Sequence, residues 1–212
     1  MPHVAGHMSL TMYGFTCKKC RRLGYKVCDS AKCGLVRKPY PPGQHGKNRP
    51  RRPSEYGGQL LEKQKLKLIY GLREKQFKKY FDAAAGKLGV THLVMLEMLE
   101  RRLDNVVFRL GLAPGRRAAR QMVSHGHFTV NGRRVYSPSY SVKAGDQIEI
   151  RLASQTNKNF GEMRTILKKF QPPAWLDLDK EKLSARVAGL PDAGFLAEVP
   201  VEMAKVLEFY SR

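Results

Sequence analysis

All four cysteines of this 212-residue chain lie in one short stretch, CKKCRRLGYKVCDSAKC, from Cys17 to Cys33. Their spacing, C-x2-C-x7-C-x4-C, admits a metal knot, a redox centre or a pair of disulfides. Tetrahedral zinc takes four soft ligands, and a C-x2-C pair can wrap one side of the ion while a second pair closes the other. Lys18, Lys19, Arg21, Arg22, Lys26 and Lys32 stand among the thiols and favour thiolates, the form that a metal binds. The same charges could activate a redox C-x-x-C, but no βαβ pattern surrounds it and two cysteines would be left over. Disulfides would not persist in a reducing compartment. The spacing therefore favours a structural metal knot that fixes a basic segment.

A second constellation is built from arginine. Arg116, Arg117 and Arg120 stand near the start of a short helical stretch, and Arg133-Arg134 follow an Asn-Gly turn close behind. Guanidinium groups beside a helix N-terminus suit phosphate, so the two groups could share one face. Phe128, Tyr136 and Tyr140 could stack on bases or pack into a core. Catalytic patterns are missing by comparison. His45, His125 and His127 have no serine or cysteine at a recognisable spacing, and there is no P-loop or GxGxxG, so we expect no enzyme. Asp104 is expected inside an amphipathic helix, paired with Arg101.

The whole chain is strongly basic, with 39 Lys+Arg against 18 Asp+Glu and a formal net charge of +21. That balance predicts a polyanionic partner. Residues 1–60 carry 12 basic and 2 acidic side chains, whereas 126–212 carry 13 and 10, so the excess belongs to the front of the chain. No apolar run approaches the ~20 residues that span a bilayer, and MPHVAGHMSLTMYGFT lacks the pattern of a signal peptide. A cytoplasmic protein is the expectation.

These residues must be positioned by the elements around them. Residues 1–16 read as a disordered leader. KPYPPGQHGKNRPRRPSEYGG is too rich in proline and glycine for long helix or strand and reads as an extended basic arm through residue 58. Helices are expected up to Gly71 and Gly86, the second with Phe77, Tyr80 and Phe81 on one face. THLVMLEMLERRLDNVVFRLG reads as one continuous helix capped by Thr91, with Leu96, Leu99, Leu103, Val106, Val107 and Leu110 as its stripe. PGRRAARQMVSHG predicts a shorter helix, HFTVNGRRV a type I′ hairpin, and QIEIRL a strand. The fold class is α+β, and the C-terminal region from residue 160 reads as mixed.

RRLDNVVFRLGLAPGRRAARQMVSHGHFTVNGRRV, followed by SYSVKAGDQIEI, resembles the RNA-binding module named after small-subunit ribosomal protein S-four. That module also occurs in tRNA synthetases and pseudouridine synthases, so an RNA-modifying enzyme is the alternative it leaves open. The flanks RKPYPPGQHG, RRPSEY, LLEKQKLKLIYGLREKQFKKYF and EFYSR resemble the bacterial ribosomal family itself, from about Cys17 to Arg212. The resemblance implies a zinc-bearing form with Cys17, Cys20, Cys28 and Cys33 as ligands in a segment 17–46. It implies a helical domain of residues 47–92 completed by about 188–212, with residues 93–187 inserted and the module core at about 99–163. It implies a primary binder of the 16S rRNA 5′ domain that nucleates assembly of the subunit body and contributes to translational accuracy. Neighbours implied are ribosomal proteins S-five and S-three and mRNA near its entry channel. By motif, Arg21, Arg22, Lys47, Arg49, Arg51 and Arg52 would lie on RNA near the arm, and Arg116, Arg117, Arg120, Arg133 and Arg134 on rRNA in the module.

Overall fold

A computed structural model describes residues 17–28, 32–48, 52–155, 160, 167 and 170–211. The expected leader 1–16, and Arg49 and Arg51 of the arm, lie outside the described residues. The chain divides into two compact units, one from the described parts of Met1–Phe77 and Pro200–Arg212, the other from Lys78–Val199. The second is thus inserted in the chain between the two halves of the first. Its edges lie outside the expected 93–187.

The first unit opens with two short helices, α1 (Lys18–Leu23) and α2 (Gly34–Arg37). Gly24 stops α1 at φ 64°, the left-handed region that glycine enters at no steric cost. The longer α3 (Glu55–Ile69) begins earlier than expected, so the basic arm is shorter than residues 34–58. The Ser54 hydroxyl accepts the Gly57 N–H at 3.2 Å, and this cap carries the helix through Gly57 and Gly58 despite their poor propensity. The terminal helix, α10 (Met203–Tyr210), packs along α3. Leu66 and Val206 are buried there. Lys63 is buried as well, with its Nζ 4.1 Å from the Phe209 ring centroid and paired with Glu74. Burial works to raise the Glu74 pKa, but bonds from Lys63 and Lys67 outweigh it and hold the carboxyl below its ordinary range.

The second unit takes over within α4 (Glu74–Ala85) and continues with α5 (Thr91–Glu100), α6 (Leu103–Arg109) and α7 (Arg116–Ser124). Val90, not Thr91, is the N-cap of α5. The expected continuous helix is broken at Arg102, which is extended at φ −67° and ψ 135°. The loop 138–142 holds this break: the Leu103 N–H donates to the Tyr140 carbonyl (2.9 Å), Asp104 N–H to Pro138 (3.2 Å), and Val142 N–H to Arg101 (2.9 Å). Tertiary backbone bonds thus replace the intrahelical ones that propensity alone would have kept.

Strands β1 (Phe128–Val130), β2 (Arg133–Arg134), β3 (Gln147–Ile150), β4 (Leu176–Asp179) and β5 (Ser184–Val187) form one antiparallel sheet in the order β2-β1-β3-β5-β4. Asn131 (φ 50°) and Gly132 (φ 76°) both adopt positive φ, as the expected type I′ hairpin requires. The Asn131 amide also donates to Asp146 (2.9 Å) and accepts from Gln147 N–H (2.9 Å), joining the two turns. Phe128, Val130, Ile148, Ile150, Ala185 and Val187 turn inward and pack with Leu103, Val106, Val107 and Leu110 of α6 and Val123 of α7. Short helices α8 (Leu152–Gln155) and α9 (Ala193–Ala197) complete the unit. Among the described residues no helix is long and apolar enough to cross a membrane.

Candidate nucleic-acid interface and metal centre

The Sγ atoms of Cys17, Cys28 and Cys33 lie within 4.8 Å of one another. Cys28 and Cys33 are buried, and Cys20 is fully buried in the same cluster, with Val27 and Leu35 packed around it. None of the four is in a disulfide. The approach depends on Gly34, where an added Cβ would meet the Cys17 Cβ at 2.9 Å. Thiolates on a tetrahedral zinc stand about 3.8 Å apart, given Zn–S near 2.3 Å. A soft, converging sulfur set of this size, buried except for the partly exposed Cys17, fits a metal ion of that class, with Cys20 in the same cluster.

Arg21, expected to face RNA, is turned onto its own chain. Its Nε donates to the carbonyls of Lys38 (3.1 Å) and Tyr40 (2.9 Å), its Nη2 to that of Pro41 (3.0 Å), and it stacks 4.7 Å over the Tyr40 ring. It fastens the KPYPP segment to α1. Arg22, Lys47 and Arg52 are exposed, with Lys47 reaching toward the Tyr40 ring.

In the second unit Arg102, Arg109, Arg116 and Arg120 are held by two buried carboxylates, directly or through Asn105. Arg102, 2% exposed, forms a two-bond fork on Asp104 (Nε–Oδ1 3.1 Å, Nη2–Oδ2 2.7 Å) and a third bond to the Tyr80 hydroxyl (2.7 Å). Arg120 reaches back from α7 to the same Asp104 Oδ2, at 3.1 Å from Nε and 3.0 Å from Nη2. Glu100, wholly buried, receives Arg109 through two bonds (3.0 and 2.7 Å) and the Asn105 amide (2.6 Å). Asn105 in turn accepts Arg116 Nε at 2.7 Å, and Arg116 lies 4.4 Å over the Phe108 ring. Burial alone would depress the Arg102 pKa, but the bonds and charge of Asp104 raise it above its ordinary value. Two carboxylates thus fix the helix break and the base of α7 together.

The expected pair of Asp104 with Arg101 is not formed. Arg101 turns to Glu97 (2.9 Å, one helical turn back) and to the Val142 carbonyl (3.0 Å), because the break at Arg102 points its side chain elsewhere. Asp104 is 4% exposed beneath two guanidiniums, which leaves it no access to a substrate. Glu100 and Asn105 were not singled out from sequence. Their signal was polar residues interrupting the apolar stripe of LERRLDNVVF.

Arg116 and Arg120 keep partly exposed edges, and Arg117 and Arg133 are exposed. Arg134 donates to the carbonyls of Gly126 (2.8 Å) and His125 (3.1 Å), at the C-terminal end of α7. Arg134 therefore sits at the C-terminal end of the helix whose first five residues carry Arg116, Arg117 and Arg120. Gly115 caps that helix with no side-chain bond, a loss of only a few tenths of a kcal/mol against a serine. His127 is held below its ordinary pKa by burial and by the nearby His125, Arg151 and Arg134. This array presents guanidinium edges on a rigid frame, an arrangement suited to phosphate oxygens.

The class of protein follows from comparison of this frame with known families. The Ribosomal protein S4/S9 N-terminal domain matches residues 12–100, and the S4 domain matches residues 101–148. The join between the two matches falls at the helix break. The small ribosomal subunit protein uS4 of Thermus thermophilus is 49% identical over 205 residues, covering 94% of this chain and 98% of that protein. Those of Halothermothrix orenii and Pelotomaculum thermopropionicum are 48% and 47% identical with the same coverage. The chain belongs to the small ribosomal subunit protein uS4 family.

Replacing Asp104 by alanine strands Arg102 as an uncompensated buried charge. We expect a loss of about 3–5 kcal/mol on chemical denaturation. A loss below about 1 kcal/mol would show that the network does not hold the break.

Proposed function

We propose that this chain is a structural constituent of the small ribosomal subunit that binds 16S rRNA directly in its 5′ domain and nucleates assembly of the subunit body in the cytoplasm. The match to uS4 proteins over 98% of their length carries this reading. The arginine array supports it physically. A-form RNA hides its major groove, so a folded junction is read through phosphates, 2′-hydroxyls and shape. A rigid frame that presents Arg116, Arg117, Arg120 and Arg133 suits that task; Arg22, Lys47 and Arg52 extend the basic surface along the N-terminal segment, and Arg49 and Arg51 add positive charge to the same stretch of sequence. On the same reading the neighbours are ribosomal proteins S-five and S-three, and the basic arm contributes to translational accuracy beside mRNA at its entry site.

Cys17, Cys20, Cys28 and Cys33 would hold one zinc ion. Its chemistry there is a cross-link between thiolates, with no reactive role. The chain itself buries the sulfurs, and Arg21 fastens the following segment to α1.

Two measurements test this reading. Affinity for a 5′-domain rRNA transcript and for an unrelated folded RNA of equal length should both fall steeply with salt, because several phosphate contacts release counterions. The preference for the rRNA should survive at high salt; equal affinities erased by salt would reduce the protein to a generic polycation. Elemental analysis of the native protein should return one zinc per chain. Loss of the ion in Cys28→Ser should loosen the N-terminal segment to proteolysis. Metal-free native protein, with the cysteine variant unchanged, would contradict the zinc assignment.

A further inference from the structure

Three aromatic residues of the hairpin region could in principle meet bases, and the structure separates them. Phe128 is fully buried and Tyr140 packs against the core. Tyr136 is 53% exposed, and the Arg134 guanidinium lies 4.5 Å over its ring centroid. We propose that Tyr136, backed by Arg134, is a stacking platform for one unpaired RNA base, a site distinct from the phosphate contacts of α7. The inference rests on the RNA-binding reading above and deepens it.

Three observations carry it. The first is that the platform is preformed. Arg134 and Tyr136 are two residues apart on an extended segment, so their side chains leave the same face. The Arg134 guanidinium is fixed by two carbonyls at the end of α7. It needs little further ordering when a ligand arrives. Secondly, the backbone makes room for the pair. Gly126 has φ 69°, and a Cβ there would stand 2.5 Å from Arg134 Nε and 2.6 Å from the Tyr136 ring. Any larger residue would drive the pair off the helix end. Finally, the surroundings are cationic and suit a nucleotide. Arg133 is exposed on the same strand, and Arg151 and Arg134 add to the burial and the His125 charge that hold His127 below its ordinary pKa.

With Arg134 over its ring and about half of the residue exposed, Tyr136 has apolar area to offer to a base. Stacking on an aromatic face is tolerant of base identity, because every base has a π-face. A guanidinium has five N–H donors, so Arg134 can serve two carbonyls and still meet the flanking phosphate. The ligand class is therefore a bulged or single-stranded nucleotide and not a paired stem. In a stem the base faces are already stacked.

The test compares full-length wild type, Tyr136→Ala and Tyr136→Phe on the 5′-domain transcript across a salt series. Tyr136→Ala should weaken binding roughly 5- to 150-fold, the range for one lost base stack. The weakening should be equal at every salt concentration, because stacking releases no counterions. Tyr136→Phe should stay within about twofold of wild type, and the melting temperature of both variants should match it. Phenylalanine as weak as alanine would overturn the proposal in favour of a hydroxyl contact. Unchanged RNA affinity, with weakened binding of a neighbouring ribosomal protein, would overturn it in favour of a protein surface. If wild type prefers the rRNA and Tyr136→Ala matches it, this inference alone fails. If wild type shows no preference, the reading beneath it fails as well.

Discussion

The Asp104 carboxylate, wedged between Arg102 and Arg120, is the constraint on which the arginine-bearing part of the second unit depends. A chain with a formal charge of +21 must bring arginines close together against their mutual repulsion. Two buried acids make that possible. Asp104 receives one guanidinium from the helix break and another from α7, while Glu100 gathers Arg109 directly and Arg116 through Asn105. Taking these charges from water is costly, and full pairing offsets the cost. Removing one member is worse than never having built the network, which makes the geometry stiff. The arginines of α7 are thus held at defined positions, and on the proposed reading less side-chain entropy is lost when RNA binds them.

The same arginine can fasten the fold and face the ligand, because its donors form a planar fork with more than one edge. Arg21 shows the extreme, with three backbone carbonyls and an aromatic ring taking up its head group. Arg134 is intermediate, anchored at the end of α7 and stacked on an exposed tyrosine. Arg117 and Arg133 lie at the exposed end of the range. A count of basic residues therefore overstates the number whose whole head group is given to phosphate.

Much of this was legible in the sequence, where local rules decide the outcome. Asn131-Gly132 specified its turn because few other residues accept positive φ twice in a row, and the cysteine spacing indicated a converging thiol cluster. The helix break was hidden because Leu96, Leu99, Leu103, Val106, Val107 and Leu110 keep helical spacing straight through it, and the polar Glu100 beside them marks no boundary. What interrupts the helix is backbone bonding from residues 138–142, far away in the chain. That break also redirected Asp104 from Arg101 to Arg102. Strands β4 and β5 went unseen because LDLD and SARV are four residues each, and only the pairing of β5 with β3, and of β4 with β5, makes them strands. The start of α3 was obscured by two glycines, which the Ser54 cap overrides.

The central claim is that a buried carboxylate with no access to RNA sets RNA affinity through the arginines it holds. A double-mutant cycle of Asp104→Asn and Arg120→Gln, read as affinity for the 5′-domain transcript, tests it most directly. Asparagine keeps the shape of the side chain and removes its charge. The account predicts that Asp104→Asn weakens binding in the wild-type background and adds little once Arg120→Gln is present. Additive losses, or wild-type affinity in a folded Asp104→Asn, would contradict it.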